Sequence, residues 1–163
     1  MTSEHRTGLG WDSHRLVAGR PLIVGGVELE HELGLDGHSD ADVLTHAVID
    51  ALLGAAGLGD IGAHFPDTDE RWRGADSIAL LGETARLIAA AGLRVVNVDA
   101  TICIERPKIG ERREQMRERL AGALGIDAGR VNVKATTGER IGFVGREEGV
   151  AAMAIATLVA GSD

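Results

Sequence analysis

SDADVLTHAVIDALLGAAGL, residues 39–58, carries the clearest structural signal in the chain. It opens with a Ser-Asp-Ala-Asp run suited to a helix cap with acids in the first turn. Val43, Leu44, Ala47, Val48, Ala51 and Leu52 then recur at helical spacing, which predicts a helix from about residue 39 to 58. On its N-terminal side, PLIVGGVELE (21–30) sets two short apolar runs around Gly25-Gly26, the pattern of a β-hairpin whose turn needs positive φ. On its C-terminal side, residues 57–74 are rich in Gly, Asp, Pro and Thr and are long enough to form a functional loop. A second helix is predicted over 76–91, stopped by Gly92.

Further out, residues 94–105 alternate, with Val96, Val98, Ala100, Ile102 and Ile104 on one face and Asn97, Asp99 and Thr101 on the other, so this segment is a strand. Pro107 precedes a charged helix over 110–124, and Val131, Val133 and Ala135 alternate with Asn132, Lys134 and Thr136 in another strand. Residues 150–159 read as a last strand, although their alanines leave a helix open. This order is α+β: one domain over 1–163, residues 1–7 flexible, a four-stranded open sheet plus a β-hairpin, and helices on one face. The other face of such a sheet lacks a cover. Oligomerisation is one remedy, and the Ala-rich last strand would let subunits approach closely.

Composition narrows the chemistry. The 163 residues are 44% hydrophobic yet hold only two Phe, two Trp and no Tyr, so the core must be built from Ala, Val, Leu and Ile. The 23 glycines follow no fixed period and mark turns and close approaches. A formal charge of −8, with both signs mixed, argues against recognition of nucleic acid or a membrane surface through bulk positive potential. An acidic chain that binds a phosphorylated ligand must supply positive charge locally, from a metal, a helix N-terminus or a few placed Lys and Arg. The single cysteine, Cys103, cannot form an internal disulfide and reads as an inert thiol in an apolar strand. No apolar run approaches the ~20 residues of a membrane span, and residues 1–10 lack the apolar segment of a secretory signal, so a cytoplasmic location is expected.

Asp12 and His14 are two apart, and in an extended segment both side chains point to one face and can reach one ion. His46 lies within the apolar helical stretch, with Asp42 and Asp50 four residues away on either side, where a carboxylate could orient its ring. It reads equally as a ligand or as a core histidine satisfied by Asp50. Three such ligands leave a fourth position open, as a catalytic zinc requires. His38-Ser39 falls at the predicted helix start, where Ser39 serves as a cap, as part of an anion site, or as both. Three adjacent residues, His38-Ser39-Asp40, cannot form a hydrolase triad, and no dinucleotide or P-loop glycine motif is complete. Lys134, Thr136, Thr137, Glu139 and Arg146 cluster about a strand end and its following turn, either as phosphate donors with a Mg²⁺ carboxylate or as a solvated strand end.

Taken together, GLGWDSHRL, the hairpin, GHSDADVLTHAVIDALLGAAGLGDIGAHFPDTD, GADS, IERPKI and VNVKATTGERIGFVGREEG resemble the 2-C-methyl-D-erythritol 2,4-cyclodiphosphate synthases of the non-mevalonate isoprenoid pathway, from about residue 8 to 159. The resemblance implies a lyase that cyclises a small cytidyl diphosphate substrate, 4-diphosphocytidyl-2-C-methyl-D-erythritol 2-phosphate. The 2-phosphate attacks the β-phosphorus and CMP leaves. It implies one Zn²⁺ per subunit on Asp12, His14 and His46, and Mg²⁺ or Mn²⁺ at the diphosphate on Glu139. His38 and Thr137 match positions that stabilise the transition state. Substrate-binding positions match Ser39, the loops Asp60, Ile61, Gly62 and Phe65, Pro66, Asp67, Thr68, Asp69, the cytidine segment Ile104, Glu105, Arg106, Pro107, Lys108, Ile109, Gly110, and Thr136 with Gly138. Relatives form homotrimers with sites between subunits, and Phe143 and Arg146 match a central cavity that takes isoprenoid diphosphates. Gly138 stands where a third Thr is common, and Cys103-Ile104 replace a small apolar pair. Some relatives are fused to a cytidylyltransferase, for which 163 residues leave no room, so a single-function chain is expected. Against this stand a zinc phosphoester hydrolase, which would activate water, and a non-catalytic isoprenoid-diphosphate-binding trimer, which would tolerate loss of His38, Thr137 or Glu139.

Overall fold

The apolar stretch at 39–58 folds as α1 (Val43–Ala56), which begins four residues later than its pattern implies. The reason is the cap. Asp42, not Ser39, accepts the Thr45 N–H at 3.0 Å and the Thr45 hydroxyl at 2.7 Å, and Ala41 before it turns the chain with φ of 57°. The same buried carboxylate accepts the N–H groups of Gly25 and Gly26 at 2.8 and 2.7 Å, so one side chain ties a hairpin turn to a helix start. No acid lies in the first turn.

The computed structural model describes residues 4–161. Around α1 the chain runs β1 (His5–Val17), β2 (Leu22–Val24), β3 (Val27–Leu29) and β4 (Gly34–Leu35) before it, and α2 (Ile61–His64), α3 (Ser77–Ala90), β5 (Leu93–Cys103), α4 (Arg113–Leu124), β6 (Val131–Thr136), α5 (Gly142–Gly145) and β7 (Gly149–Ala160) after it. The architecture is α+β. The main sheet has five strands in the order β4-β1-β7-β5-β6, not four, and only β5 and β6 run parallel. The additional strand, β4, is two residues paired with Leu16 and Val17, too short to show a periodicity. β2 and β3 form the separate hairpin, turned by Gly25 and Gly26 at φ of 57° and 73°. The last segment is a strand, central in the sheet, with antiparallel neighbours on both sides.

Two further readings are corrected. A register shift between Val95 and Asn97 puts Val95 rather than Val96 into the core beside Val98, Ala100 and Ile102. Of residues 1–7, expected to be flexible, 1–3 lie outside the described residues, while His5, Arg6 and Thr7 pair with Val159, Leu158 and Thr157 of β7.

Twelve of the 14 residues of α1 are buried, because the helix lies on β1 and β7 and is flanked by α3 and the hairpin. A helix apolar on all sides is stable only when enclosed in this way. Its approach to the sheet is closer than a side chain permits. A Cβ on Gly10 would stand 1.9 Å from the Ala47 carbonyl, and one on Gly8 would stand 2.1 Å from that of Ala51. The opposite face of β1 and β7 presents Leu9, Trp11, Met153 and Ile155, exposed by 68, 55, 41 and 47%. Among the described residues no helix is long and apolar enough to cross a membrane.

Gly10→Ala should destabilise the fold by about 3 kcal/mol, because backbone rather than a movable side chain blocks the methyl group. Gly54→Ala, in α1 with open space around it, should stabilise by about 0.5–1 kcal/mol. Urea unfolding of the two variants checks this, and equal midpoints would remove the close contact from the account.

Candidate metal centre and its flanking cavities

Gly8, Gly10, Asp12 and His14 alternate along β1, so the face that receives α1 at the glycines carries Asp12 and His14 next along it. His46 adjoins Ala47, the residue whose carbonyl sits over Gly10. The three side chains therefore converge. His14 Nε2 lies 2.8 Å from Asp12 Oδ2, His46 Nδ1 lies 3.1 Å from the same oxygen, and the two histidine nitrogens are 3.3 Å apart. Among the described residues this is the one group of three such side chains able to hold a metal ion. Tetrahedral ligation at about 2.0–2.2 Å separates neighbouring ligand atoms by about 3.3 Å, so the donor set fits an ion of zinc size and leaves a fourth position open.

The electrostatics match. Burial raises the Asp12 carboxyl, but hydrogen bonds from His14 and His46 outweigh it and hold the group down at about 2. Burial lowers His14, and the hydrogen bond to Asp12 reverses this and raises it. The His14 Nδ1 is 2.7 Å from the Asp36 carbonyl, which can only accept, so Nδ1 carries the hydrogen and Nε2 is free to ligate. Arg20 steadies this loop by donating to the carbonyls of Leu35 and Ser39, both at 2.9 Å.

The carboxylates expected to orient His46 do other work. Asp42 caps α1, and Asp50 accepts the Ile61 N–H at 3.0 Å, holding the start of α2. His46 instead meets Ser77 Oγ at 2.8 Å and Ser39 Oγ at 3.2 Å through Nε2. Ser77 and Asp40, which binds it, were not foreseen, because a serine at a helix start reads as no more than a cap.

A cavity of about 390 Å³ opens over the triad and is also lined by His38, Ser39, Ile61, Gly62, Phe65, Pro66 and Asp67, with Trp72 and Leu80 in addition to the expected set. Phe65 and Trp72 meet edge to face with centroids 5.2 Å apart and form an apolar wall. His38 sits before the helix rather than at its start, with Nε2 3.2 Å from the Asp69 carbonyl. Asp60 and Asp69 act as local caps, accepting from Ala63 N–H and Arg71 N–H at 2.9 Å each. Those two and Thr68 do not line this cavity.

A second cavity, about 340 Å³, is lined by Ile104, Glu105, Pro107, Lys108, Ile109, Gly110, Thr136, Thr137 and Glu139, together with Arg113 and Ala135. Glu105 accepts the Gly138 N–H at 2.8 Å and the Ile104 N–H donates to the Thr136 carbonyl at 2.9 Å, which locks its two loops together. Both cavities lie toward one end of the sheet, since Asp12 and Ile102 pair with the same residue, Ala152. Arg106 turns away to Glu147, Lys134 pairs with Asp99 at 2.5 Å, and Arg146 pairs with Glu148 at 3.0 Å, so none of the three lines it. Phe143 borders a smaller depression with His14 and Arg15. Cys103 is half-buried and its thiol is raised by desolvation, the reverse of an activated nucleophile.

The fold and site define a single-domain α+β protein with a triad able to hold a metal ion beside a ligand-sized cavity. The model of the YgbB family matches residues 5–159, and the chain belongs to that family. It is 60% identical over 154 residues to a 2-C-methyl-D-erythritol 2,4-cyclodiphosphate synthase of Symbiobacterium thermophilum, covering 94% of this chain and 98% of the relative. It is 65% identical over 153 residues to a bifunctional enzyme IspD/IspF of Anaeromyxobacter dehalogenans, covering 94% of this chain and 39% of that one. The chain thus spans about two-fifths of its bifunctional relatives. A solved 2C-methyl-D-erythritol-2,4-cyclodiphosphate synthase in a CDP-bound form superposes with a TM-score of 0.86 at 39% identity, covering 94% of this chain and 99% of that one.

Because Asp12 is lowered from 3.8 to about 2, its contribution to metal-free stability is complete above pH 3.8 and disappears as the pH falls toward 2. That amounts to about 2 kcal/mol. Urea unfolding in chelator should show this acid limb flattened in Asp12→Asn, and parallel curves for wild type and variant would contradict it.

Proposed function

We propose that the chain is a 2-C-methyl-D-erythritol 2,4-cyclodiphosphate synthase, with Asp12, His14 and His46 holding zinc and Glu139 a magnesium or manganese ion at the substrate diphosphate. The observation that carries this reading is the convergence of three ligand atoms beneath a cavity also lined by His38 and Ser39, in a member of this family. Glu139 lines the second cavity with Lys108, Thr136 and Thr137, where its carboxylate could meet an ion completed by water and phosphate oxygens. When bound, the two ions supply positive charge that polarises phosphate oxygens, which an acidic chain otherwise lacks.

The chain's own residues bind and orient. Ile61, Phe65, Trp72 and Leu80 form the apolar side of the first cavity and suit the methylerythritol unit while excluding water. The segment 104–110 with Thr136 and Thr137 suits the cytidine and its phosphates, with Lys108 and Arg113 as donors. His38 and Thr137 present an imidazole and a hydroxyl to the phosphate groups. The 2-phosphate oxygen forms a bond to the β-phosphorus, the bond from that phosphorus to the α-phosphate oxygen breaks, and CMP departs with no water consumed.

The exposed row Leu9, Trp11, Met153 and Ile155 supports a homotrimer with sites between subunits, and Phe143 and Arg146 a central cavity for isoprenoid diphosphates. A cytoplasmic location accords with this metabolism.

Wild type with the cytidyl substrate and Mg²⁺ should release CMP and the cyclic diphosphate in equal amounts by ³¹P NMR, and His46→Ala should lose at least about 100-fold in rate. Linear hydrolysis products would point to a water-activating phosphoesterase instead. By sedimentation the wild type should run at three times the 17.1 kDa chain mass, and Trp11→Glu should shift it toward monomer. A monomeric wild type would overturn the assembly.

A further inference from the structure

Ser77, the first residue of α3, is fully buried between Asp40 and His46, both far from it in sequence. Asp40 Oδ2 accepts the Ser77 N–H at 2.9 Å, and Oδ1 accepts the Asp42 N–H at 3.1 Å together with the Ser77 hydroxyl. A carboxylate has no hydrogen to give, so the single hydroxyl hydrogen of Ser77 is directed at Asp40. The Ser77 oxygen therefore offers only lone pairs to His46 Nε2, 2.8 Å away, and must accept from it. In a neutral imidazole, a hydrogen on Nε2 leaves Nδ1 bare. Nδ1 faces Asp12 Oδ2 at 3.1 Å, a second acceptor that competes for the ring hydrogen until a cation takes that place, and His14 Nε2 at 3.3 Å.

We propose that Asp40 and Ser77 are positioning residues of the metal centre: acting as a fixed-polarity chain, they hold His46 as its Nε2–H tautomer and so present Nδ1 to the cation. This rests on the metal reading of the triad given above. The second hydroxyl near Nε2, that of Ser39 at 3.2 Å, accepts the Ala41 N–H at 3.3 Å but has no acceptor that commits its own hydrogen. It can donate to His46 or accept from it, and cannot select a tautomer. The chain from Asp40 supplies the direction, while the carbonyl of Asp36 does the same for His14.

The test uses the full chain labelled with ¹⁵N-histidine, freed of metal and held near pH 8, about 1.5 units above the usual histidine value. Long-range ¹H–¹⁵N spectra report the tautomer of His46, and zinc titration against a competing chelator reports affinity. Wild type should show Nε2–H. Ser77→Ala should give a mixture of tautomers and a zinc dissociation constant raised about 10–100-fold. In Asp40→Asn only one of the two accepting oxygens remains for the Ser77 N–H, the Asp42 N–H and the Ser77 hydroxyl, so the hydroxyl hydrogen is held less firmly and the Nδ1–H share should rise, with a loss of zinc. This near-isosteric variant also serves if Ser77→Ala does not fold. A purely structural role would lower the unfolding midpoint and leave the tautomer alone. An Nδ1–H wild type, or variants with wild-type tautomer and zinc affinity, would overturn the proposal. A wild type that keeps Nε2–H but takes up no zinc would sink the metal reading and leave the hydrogen-bond assignment standing.

Discussion

The contact of α1 with two bare glycines of β1 is the constraint on which the rest of the structure depends. With Gly8 and Gly10 under the carbonyls of Ala51 and Ala47, helix and strand backbones approach to a distance that excludes even a methyl group. That contact allows one register. Asp12 and His14 follow Gly10 on the same face of β1, and His46 precedes Ala47 on α1, so the glycine seat places all three ligand side chains together. Ala152, Ala154 and Ala156 of β7 continue the shallow surface on which α1 lies.

Around that seat, long-range polar contacts hold the loops. Asp42 joins the hairpin turn to α1, Arg20 fixes the segment bearing His38 and Ser39, Asp50 holds α2, and Glu105 links the two loops of the second cavity. Each is a side chain bonded to backbone, the economical way to satisfy buried N–H and C=O groups where no strand or helix partner exists. The result for an acidic protein is a pair of cavities, one beside a triad able to hold a cation and one edged by Lys108 and Arg113.

Much of the fold could be read from periodicity. The hairpin with its Gly25-Gly26 turn, the helices near 43–56 and 77–90, and the strands near 93–103 and 131–136 all follow from apolar spacing and stop signals. The misses share one cause, that a local pattern was overruled by a distant contact. The helix starts at Val43 because Asp42 serves the hairpin as well as the cap. Val95 replaces Val96 in the core because pairing with β7 slips by a residue. β4 exists only because β1 offers it an edge.

The site divides in the same way. Residue type and spacing marked Asp12, His14 and His46 as possible ligands, and the wider motif pattern tied them to a family, because donor chemistry and alternation belong to the chain itself. Residue type and spacing alone left His46 as either a ligand or a core histidine resting on Asp50, since both carboxylates at helical spacing were available to it, and it was the resemblance to the family that favoured the ligand. Tertiary packing shows that Asp50 is not its partner: α1 settles on the glycines with Nδ1 turned to Asp12, while Ser77, tied to Asp40 from 37 residues away, meets the other nitrogen. Hydrogen-bond direction depends on which groups meet in space, and only the folded chain specifies that.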